Sequence, residues 1–96
     1  MTLDQALTAL RECRDRIDEV DVRLLALLNE RARVVEQIGH IKHGQALPVY
    51  EPKREDQVFA NIQQNNAGPL SQEAARRIFE RVIDEMRRLQ KERMQD

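Results

Sequence analysis

Residues typical of β-sheet and disulfide-linked proteins are scarce in this chain of 96 residues. Aromatic residues make up 3% of it, tryptophan is absent, and Cys13 is the single cysteine. Few aromatics together with 34% charged residues disfavour a β-sandwich or barrel and favour helices packed through aliphatic side chains. A single cysteine excludes an intramolecular disulfide and a cysteine-only metal site.

The chain also lacks a large net charge and a long apolar run. Because its formal net charge is −1, no overall field attracts nucleic acid or an anionic membrane, and any anion site must be local. No stretch approaches the ~20 apolar residues of a membrane span, and the first residues lack the basic and apolar regions of a signal peptide. We therefore expect a cytoplasmic protein with one domain over residues 1–96.

The strongest pattern present is a heptad-type stripe that begins at Leu3. Steps of four and three residues land on Leu3, Leu7, Leu10, Arg14, Ile17, Asp21, Leu24, Leu28, Arg31, Val35, Ile38 and Lys42. No proline or glycine interrupts it before Gly39, so the spacing predicts one long helix that packs against another. At ~1.5 Å per residue this helix would extend roughly 60 Å. The rest of the chain is too short to cover it, and a second copy is the simplest partner.

Four positions of the stripe are charged: Arg14, Asp21, Arg31 and Lys42. Charges on a packing face are unfavourable unless they are paired or used. The long stems could carry their charges to water, or Asp21 could pair with an arginine and fix the register. Alternatively, the three cations form anion sites. Arg31 and Lys42 share a helical face about 16 Å apart, whereas Arg14, about 26 Å before Arg31, could reach it only from an antiparallel second chain.

The remaining sequence predicts two further helices and no strand. Thr2 or Asp4 can cap the first helix, which should end near residues 43–44, where Gly44 is a plausible C′ residue. Pro48 keeps the following segment in a loop. The prediction is an all-α chain with a long, a short and a medium helix.

The second and third helices have recognisable starts and apolar faces. Pro52 can occupy the first turn of the second helix, and Ser71 can cap the third after a turn over residues 65–69. The second helix carries Glu55, Val58, Phe59 and Ile62 on one face. The third carries Phe79, Ile83, Met86 and Gln90 at four–three–four spacing, with Ile78, Val82 and Leu89 beside them. Gln90 is the polar exception on that face.

Two other candidate sites have simpler explanations. His40 and His43, with Glu36 one turn earlier, could ligate a metal, but this spacing is common by chance and no third strong ligand set is evident. Cys13 has cations nearby but no positioned base, so we expect a part-buried, inert thiol.

The arginines of the third helix could also indicate nucleic-acid binding. Acidic residues interleave them, however, and Glu73–Arg77 and Asp84–Arg88 have i, i+4 spacing. A solvated, ion-paired face that includes Arg87 is the better interpretation.

One cluster remains where the first helix turns into the second. It brings together Lys42, Lys53, Arg54 and Glu55, to which Arg31 and Gln90 can be added. Such a site is rich in fixed positive donors and has no nucleophile. It suits a reaction that needs only positioning and charge stabilisation.

These residues together resemble the all-helical chorismate mutases, the AroQ class. The matching residues are Leu10, Arg11, Arg14, Ile17, Asp21, Leu24, Leu25, Leu28, Glu30, Arg31, Ile38, Gly39, Lys42, Pro48, Val49, Arg54, Glu55, Ile78, Phe79, Ile83 and Gln90. The match covers nearly the whole chain. Residues 50–55 and 66–69 are similar to the branch fused to, or working beside, DAHP synthase.

The resemblance implies an intertwined homodimer of three-helix chains with two active sites. It implies an isomerase that rearranges chorismate to prephenate in phenylalanine and tyrosine biosynthesis, without cofactor or metal. Arg14 of the partner subunit and Arg31 would hold the substrate carboxylates, whose geometry matches the guanidinium fork. Lys42 and Gln90 would hydrogen-bond the ether oxygen of the breaking C–O bond, where a cation stabilises developing negative charge.

The resemblance also assigns the other end of the substrate. Glu55 would take the ring hydroxyl, with Arg54 and the backbone near Glu51 completing that end. Met86 lies in the substrate site where many relatives place a small hydroxyl residue that touches a carboxylate. A thioether cannot supply that donor, so the resemblance implies weaker substrate binding than in those relatives.

Three other functions share this scaffold or composition. The first is isochorismate–pyruvate lyase, although the loop between Lys42 and Arg54 and the Gln90 side favour a mutase. The second is a regulatory domain that binds chorismate or prephenate and acts mainly on DAHP synthase. The third is a purely structural dimerisation bundle, which would leave the ordered cations without a role.

Overall fold

A computed structural model describes residues 1–94 of the chain. Its three α-helices are α1 (Leu3–Gly44), α2 (Pro52–Asn65) and α3 (Gln72–Met94). No strand occurs in this part of the chain, which confirms the all-α prediction of a long, a short and a medium helix. None of the three helices, over the residues described, combines the length and apolar content needed to cross a membrane.

The chain divides into two compact units, of which the first is Met1–Arg31. This unit starts with a capping box. The Thr2 hydroxyl accepts a hydrogen bond from the Gln5 backbone N–H at 3.2 Å, and the Gln5 side-chain oxygen accepts one from the Thr2 N–H at 2.8 Å. Thr2, rather than Asp4, is therefore the N-cap of α1.

The apolar residues of the first unit are largely exposed, since a single stretch of helix cannot cover its own apolar face. Those of the heptad-type stripe are between 48% and 74% exposed at five positions: Leu3, Leu7, Leu10, Ile17 and Leu24. Cys13 is exposed as well, so the expectation of a part-buried thiol is wrong for this chain by itself.

The second unit begins at Ala32 and contains the end of α1 together with α2 and α3. Its buried residues are Val35, Gly39 and Lys42 from α1 and Ala75, Ile83 and Gln90 from α3. The predicted face of α2 is half-buried. Ile38, expected on the packed stripe, is 37% exposed, whereas its neighbour Gly39 is buried. The helix therefore turns glycine, not isoleucine, towards α3.

The C-terminal cap of α1 differs from the sequence prediction. Gly44 is still helical, and the left-handed residue is Ala46, with φ 55°. The Leu47 N–H donates to the Lys42 carbonyl at 2.9 Å and the Ala46 N–H to the His43 carbonyl at 3.4 Å, the hydrogen-bond pattern of a Schellman motif. The helix thus ends at Gly44, as predicted, but its C′ residue is Ala46 and not Gly44, and the Lys42 backbone is part of the C-terminal cap.

The other helix ends follow the sequence prediction. Pro52 is the first residue of α2, where its missing N–H would have had no partner. The Ser71 hydroxyl accepts a hydrogen bond from the Ala74 N–H at 3.0 Å and caps α3. Between these helices, Asn66 receives the Gly68 N–H and donates to the Leu70 carbonyl, so the turn over residues 65–69 is confirmed.

Candidate active site

Lys42 is a buried cation of the second unit, with 6% of its surface exposed. Its ammonium group donates to the side-chain oxygen of Gln90 at 2.9 Å and to the Val49 carbonyl at 3.1 Å. The Glu51 carboxylate lies 3.0 Å away and completes an ion pair. A buried ammonium group is tolerated only with such partners, so α1, α3 and the loop before α2 jointly hold this charge.

Gln90 has its amide orientation fixed by this contact. A lysine ammonium can only donate hydrogen bonds, so the amide oxygen must face Lys42 and the NH₂ group must point away from it. The Gln90 amide therefore offers a donor beside the lysine, on a side chain that is only 8% exposed.

Gly39 sets the spacing between α1 and α3 at this point. A Cβ atom added at Gly39 would lie 3.4 Å from Cγ of Gln90 and 3.5 Å from its backbone oxygen. Those distances are ordinary van der Waals contacts, so an alanine would fit, whereas a larger side chain would displace Gln90. The small residue thus lets the lysine of one helix meet the glutamine of the other.

Glu55 is paired with Arg87, a contact that the sequence did not predict. The Arg87 guanidinium donates to the Glu55 carboxylate and lies over the Tyr50 ring, 5.0 Å from its centroid. This hydrogen bond, against an opposing effect of burial, raises the pKa of Arg87 above its ordinary value. Because its side chain is only 33% exposed, the interpretation of Arg87 as part of a solvated face is wrong.

Arg87→Ala is expected to destabilise the protein by about 1–2 kcal/mol, between the values for exposed and buried ion pairs. It would leave the half-buried Glu55 carboxylate without its cation and remove the guanidinium from the Tyr50 ring. For a chain of this size that corresponds to a fall in Tm of roughly 4–16 °C, measured by circular dichroism at matched chain concentration.

Arg88→Ala is the matched control. Arg88 is 65% exposed and lies 3.6 Å from Glu85, so its removal should change stability by less than about 0.5 kcal/mol. Equal effects of the two substitutions would show that the Arg87–Glu55 pair adds nothing beyond a surface contact.

The other charges of α3 pair along the helix, although not as predicted. Arg76 pairs with Glu80, Arg81 with Glu85, and Asp84 lies 3.8 Å from Arg87 rather than being paired with Arg88. Arg88 instead lies 3.6 Å from Glu85.

Arg54 and Glu51 lie at the start of α2, beside an open depression of about 560 Å³. The depression is lined by Glu51, Pro52, Lys53, Arg54 and Gln57. Arg54 donates to the Gln57 side chain at 3.4 Å on the exposed surface. This surface offers two cationic side chains to an anionic small molecule.

The remaining predicted site residues occupy different positions. Met86 is half-buried on α3, one turn before Gln90 and therefore on the same side of the helix. Arg14, exposed, and Arg31, half-buried, belong to the first unit. Their contribution to a substrate site stays a prediction.

The metal site considered from the histidines has no counterpart in the structure. Within residues 1–94, no three histidine, cysteine or acidic side chains are grouped as metal ligands would be. Glu36 instead pairs with Arg93, whose Nε lies 2.6 Å from its carboxylate.

The chemistry open to these residues is electrostatic. The second unit combines a buried ammonium group, an amide donor of fixed orientation and exposed guanidinium and ammonium groups at the start of α2. Such an arrangement can bind an anionic small molecule and stabilise negative charge that develops on an oxygen atom.

A family model, curated relatives and solved structures all indicate the same family for this chain. The model of the family described as Chorismate mutase type II matches residues 13–91. A bifunctional chorismate mutase/prephenate dehydratase from Aquifex aeolicus is 38% identical over 86 residues, which cover 85% of this chain and 24% of the relative. The chain thus spans about a quarter of the length of the first curated relatives that it matches.

Two solved structures share the fold. A chorismate mutase (form II) from Thermus thermophilus has a TM-score of 0.85 at 32% identity, covering 86% of this chain and 94% of that one. A chorismate mutase from Helicobacter pylori, solved in complex with prephenate, has a TM-score of 0.85 at 28% identity, covering 93% and 97%.

Proposed function

Because this chain belongs to the chorismate mutase type II family, we propose that it rearranges chorismate to prephenate. The observation that carries the proposal is the Lys42–Gln90 pair. A buried cation and an oriented amide donor meet inside a three-helix unit, an arrangement that can stabilise negative charge developing on an oxygen atom. The prephenate bound to the H. pylori protein supports the same substrate class here.

The proposed mechanism uses positioning and charge alone. The reaction is an intramolecular rearrangement, so the protein must hold the compact reactive conformer and stabilise the ether oxygen as its C–O bond breaks. The Lys42 ammonium and the Gln90 NH₂ group would both donate to that oxygen. Because both side chains are buried, water competes weakly for the ether oxygen and screens its interaction with the ammonium group less.

The substrate's ring hydroxyl would be bound at the start of α2. Glu55 accepts its hydrogen bond in this proposal, with Arg54 and the backbone of Glu51 beside it. Arg87, which donates to the Glu55 carboxylate, would hold that carboxylate in position. Met86 would border the substrate without donating to it.

The substrate carboxylates require the first unit, so we extend the proposal to a homodimer. Arg31 of one chain and Arg14 of the partner subunit would each hold one carboxylate. The exposed apolar residues of the first unit, with Leu3 at 74% and Ile17 at 56% exposure, support burial against a second copy. On this proposal residues 1–96 act as one domain of an obligate dimer.

The deciding experiment is a direct assay of the purified chain. Loss of chorismate absorbance and appearance of prephenate, with this protein alone, would support the mutase. Isochorismate in a parallel assay tests the lyase alternative, which requires release of pyruvate. A well-folded dimer that converts neither substrate would refute both.

A regulatory role remains the second candidate. The similarity of residues 50–55 and 66–69 to the DAHP synthase-associated branch favours a partnership with that enzyme, whereas the Aquifex relative is named for a fused prephenate dehydratase. Co-purification with DAHP synthase, followed by feedback assays with prephenate, distinguishes a partner-dependent regulator from a self-sufficient enzyme.

A further inference from the structure

The ammonium group of Lys42 has little capacity left for a substrate. Of its three N–H donors, two are directed to Gln90 and Val49, at 2.9 and 3.1 Å. The Glu51 carboxylate, 3.0 Å from the same nitrogen, occupies the remaining side. Since an ammonium group has only three donors, an ether oxygen that binds Lys42 must compete with one of these groups.

The three partners differ in their freedom to leave. Gln90 is buried and packed against Gly39, and the Val49 oxygen belongs to the backbone of the loop. The Glu51 side chain is 52% exposed, so it can move into water at little energetic cost.

Glu51 also occupies the N-terminal end of α2, where its carboxylate has an alternative partner. Glu51 is the N-cap residue of α2, yet its side chain makes no capping hydrogen bond. A carboxylate at that position is normally stabilised by the helix amides and dipole. The Glu51 carboxylate instead lies 3.0 Å from the Lys42 nitrogen and neutralises the buried lysine.

From these observations we infer that the Glu51 carboxylate is a displaceable counter-ion of Lys42, exchanged for the substrate on binding. This inference rests on the proposed function, and it adds a role for the side chain of Glu51 to the backbone role described above. The carboxylate protects the buried ammonium when the site is empty and opposes a substrate that carries negative charge. Glu51 thereby lowers substrate affinity while it stabilises the free protein.

Glu51→Gln tests the exchange, because it removes the charge and keeps the shape. KM for chorismate should fall about fivefold, the scale of one partly exposed ion pair, and kcat should not fall. The Tm of the ligand-free variant should decrease, while the rise in Tm on adding prephenate should become larger than in the wild type. A merely structural contact would lower Tm without lowering KM.

Asp56→Asn is the matched control, since Asp56 is exposed on α2 and its substitution removes the same charge. It should leave KM unchanged. Glu51→Asp keeps the charge but withdraws it by one methylene, so its KM should lie between those of wild type and Glu51→Gln, and this variant also covers a failure of Glu51→Gln to fold.

Two outcomes would overturn the inference: a KM for the Glu51 variants at or above the wild-type value, or an equal fall in KM with Asp56→Asn. Either result in an active wild-type background leaves the mutase function intact. A wild-type protein that does not convert chorismate would instead count against the proposed function.

Discussion

Lys42→Ala is expected to lower kcat for chorismate by about 10²-fold or more, the usual effect of losing a group that stabilises charge in the transition state. The ammonium group is buried beside Gln90, so bulk water cannot replace it at the ether oxygen. KM should change less than kcat, because the substrate carboxylates are held elsewhere in the proposed site. The measurement is the initial rate of chorismate loss at several substrate concentrations.

The control separates catalysis from folding. Lys91→Ala removes an exposed lysine next to Gln90 on α3 and should leave kcat and Tm close to the wild-type values. Lys42→Met fills nearly the same volume without the charge, so a folded Lys42→Met protein with low kcat would assign the loss to the cation. Wild-type turnover in a folded Lys42→Ala protein would show that Lys42 has been given the wrong role.

Arg14→Ala and Arg31→Ala homodimers should each be nearly inactive, whereas a refolded mixture of the two should recover activity. If Arg14 completes the site of the partner subunit, each heterodimer has one site with both defects and one with neither. With statistical mixing, half the dimers are heterodimers and half their sites are intact. About a quarter of wild-type activity should therefore return by symmetry.

Each variant unfolded and refolded alone is the control for this mixture, and it should recover nothing. Because the two variants have the same mass, one of them is labelled with ¹⁵N, and native mass spectrometry must then show dimers of intermediate mass. Sedimentation at micromolar concentration must show a dimer with little folded monomer. Confirmed heterodimers without activity would exclude a site shared between chains. A compact, stable monomer would remove the homodimer from the proposal as well.

The helices were predictable because their signals are local. The capping residue Thr2, the apolar period and the prolines at 48 and 52 act over a few residues, and the structure reproduces the elements they predict. The buried position of Gln90 also followed from sequence, since a polar residue on an apolar face requires a partner.

The Arg87–Glu55 pair was missed because it depends on how α3 is rotated against α2. Two adjacent arginines, Arg87 and Arg88, are equivalent in charge pattern, and only packing decides which one turns inward. A signal was present, since Arg87 falls between Ile83 and Gln90 at the four–three spacing of the buried face. Ala46 was not predictable for another reason: glycine is preferred in left-handed positions, so the sequence favours Gly44 there.

The connection between α1 and α2 is held by two hydrogen bonds to Lys42, one to its backbone and one to its side chain. The Lys42 carbonyl receives the Leu47 N–H, and the Lys42 ammonium group donates to the Val49 carbonyl. Surface loops commonly accept inserted or deleted residues, but a change of length between positions 42 and 49 would break one of these two bonds. We therefore expect insertions and deletions in this segment to displace Lys42, whereas substitutions that keep its length can leave both bonds in place.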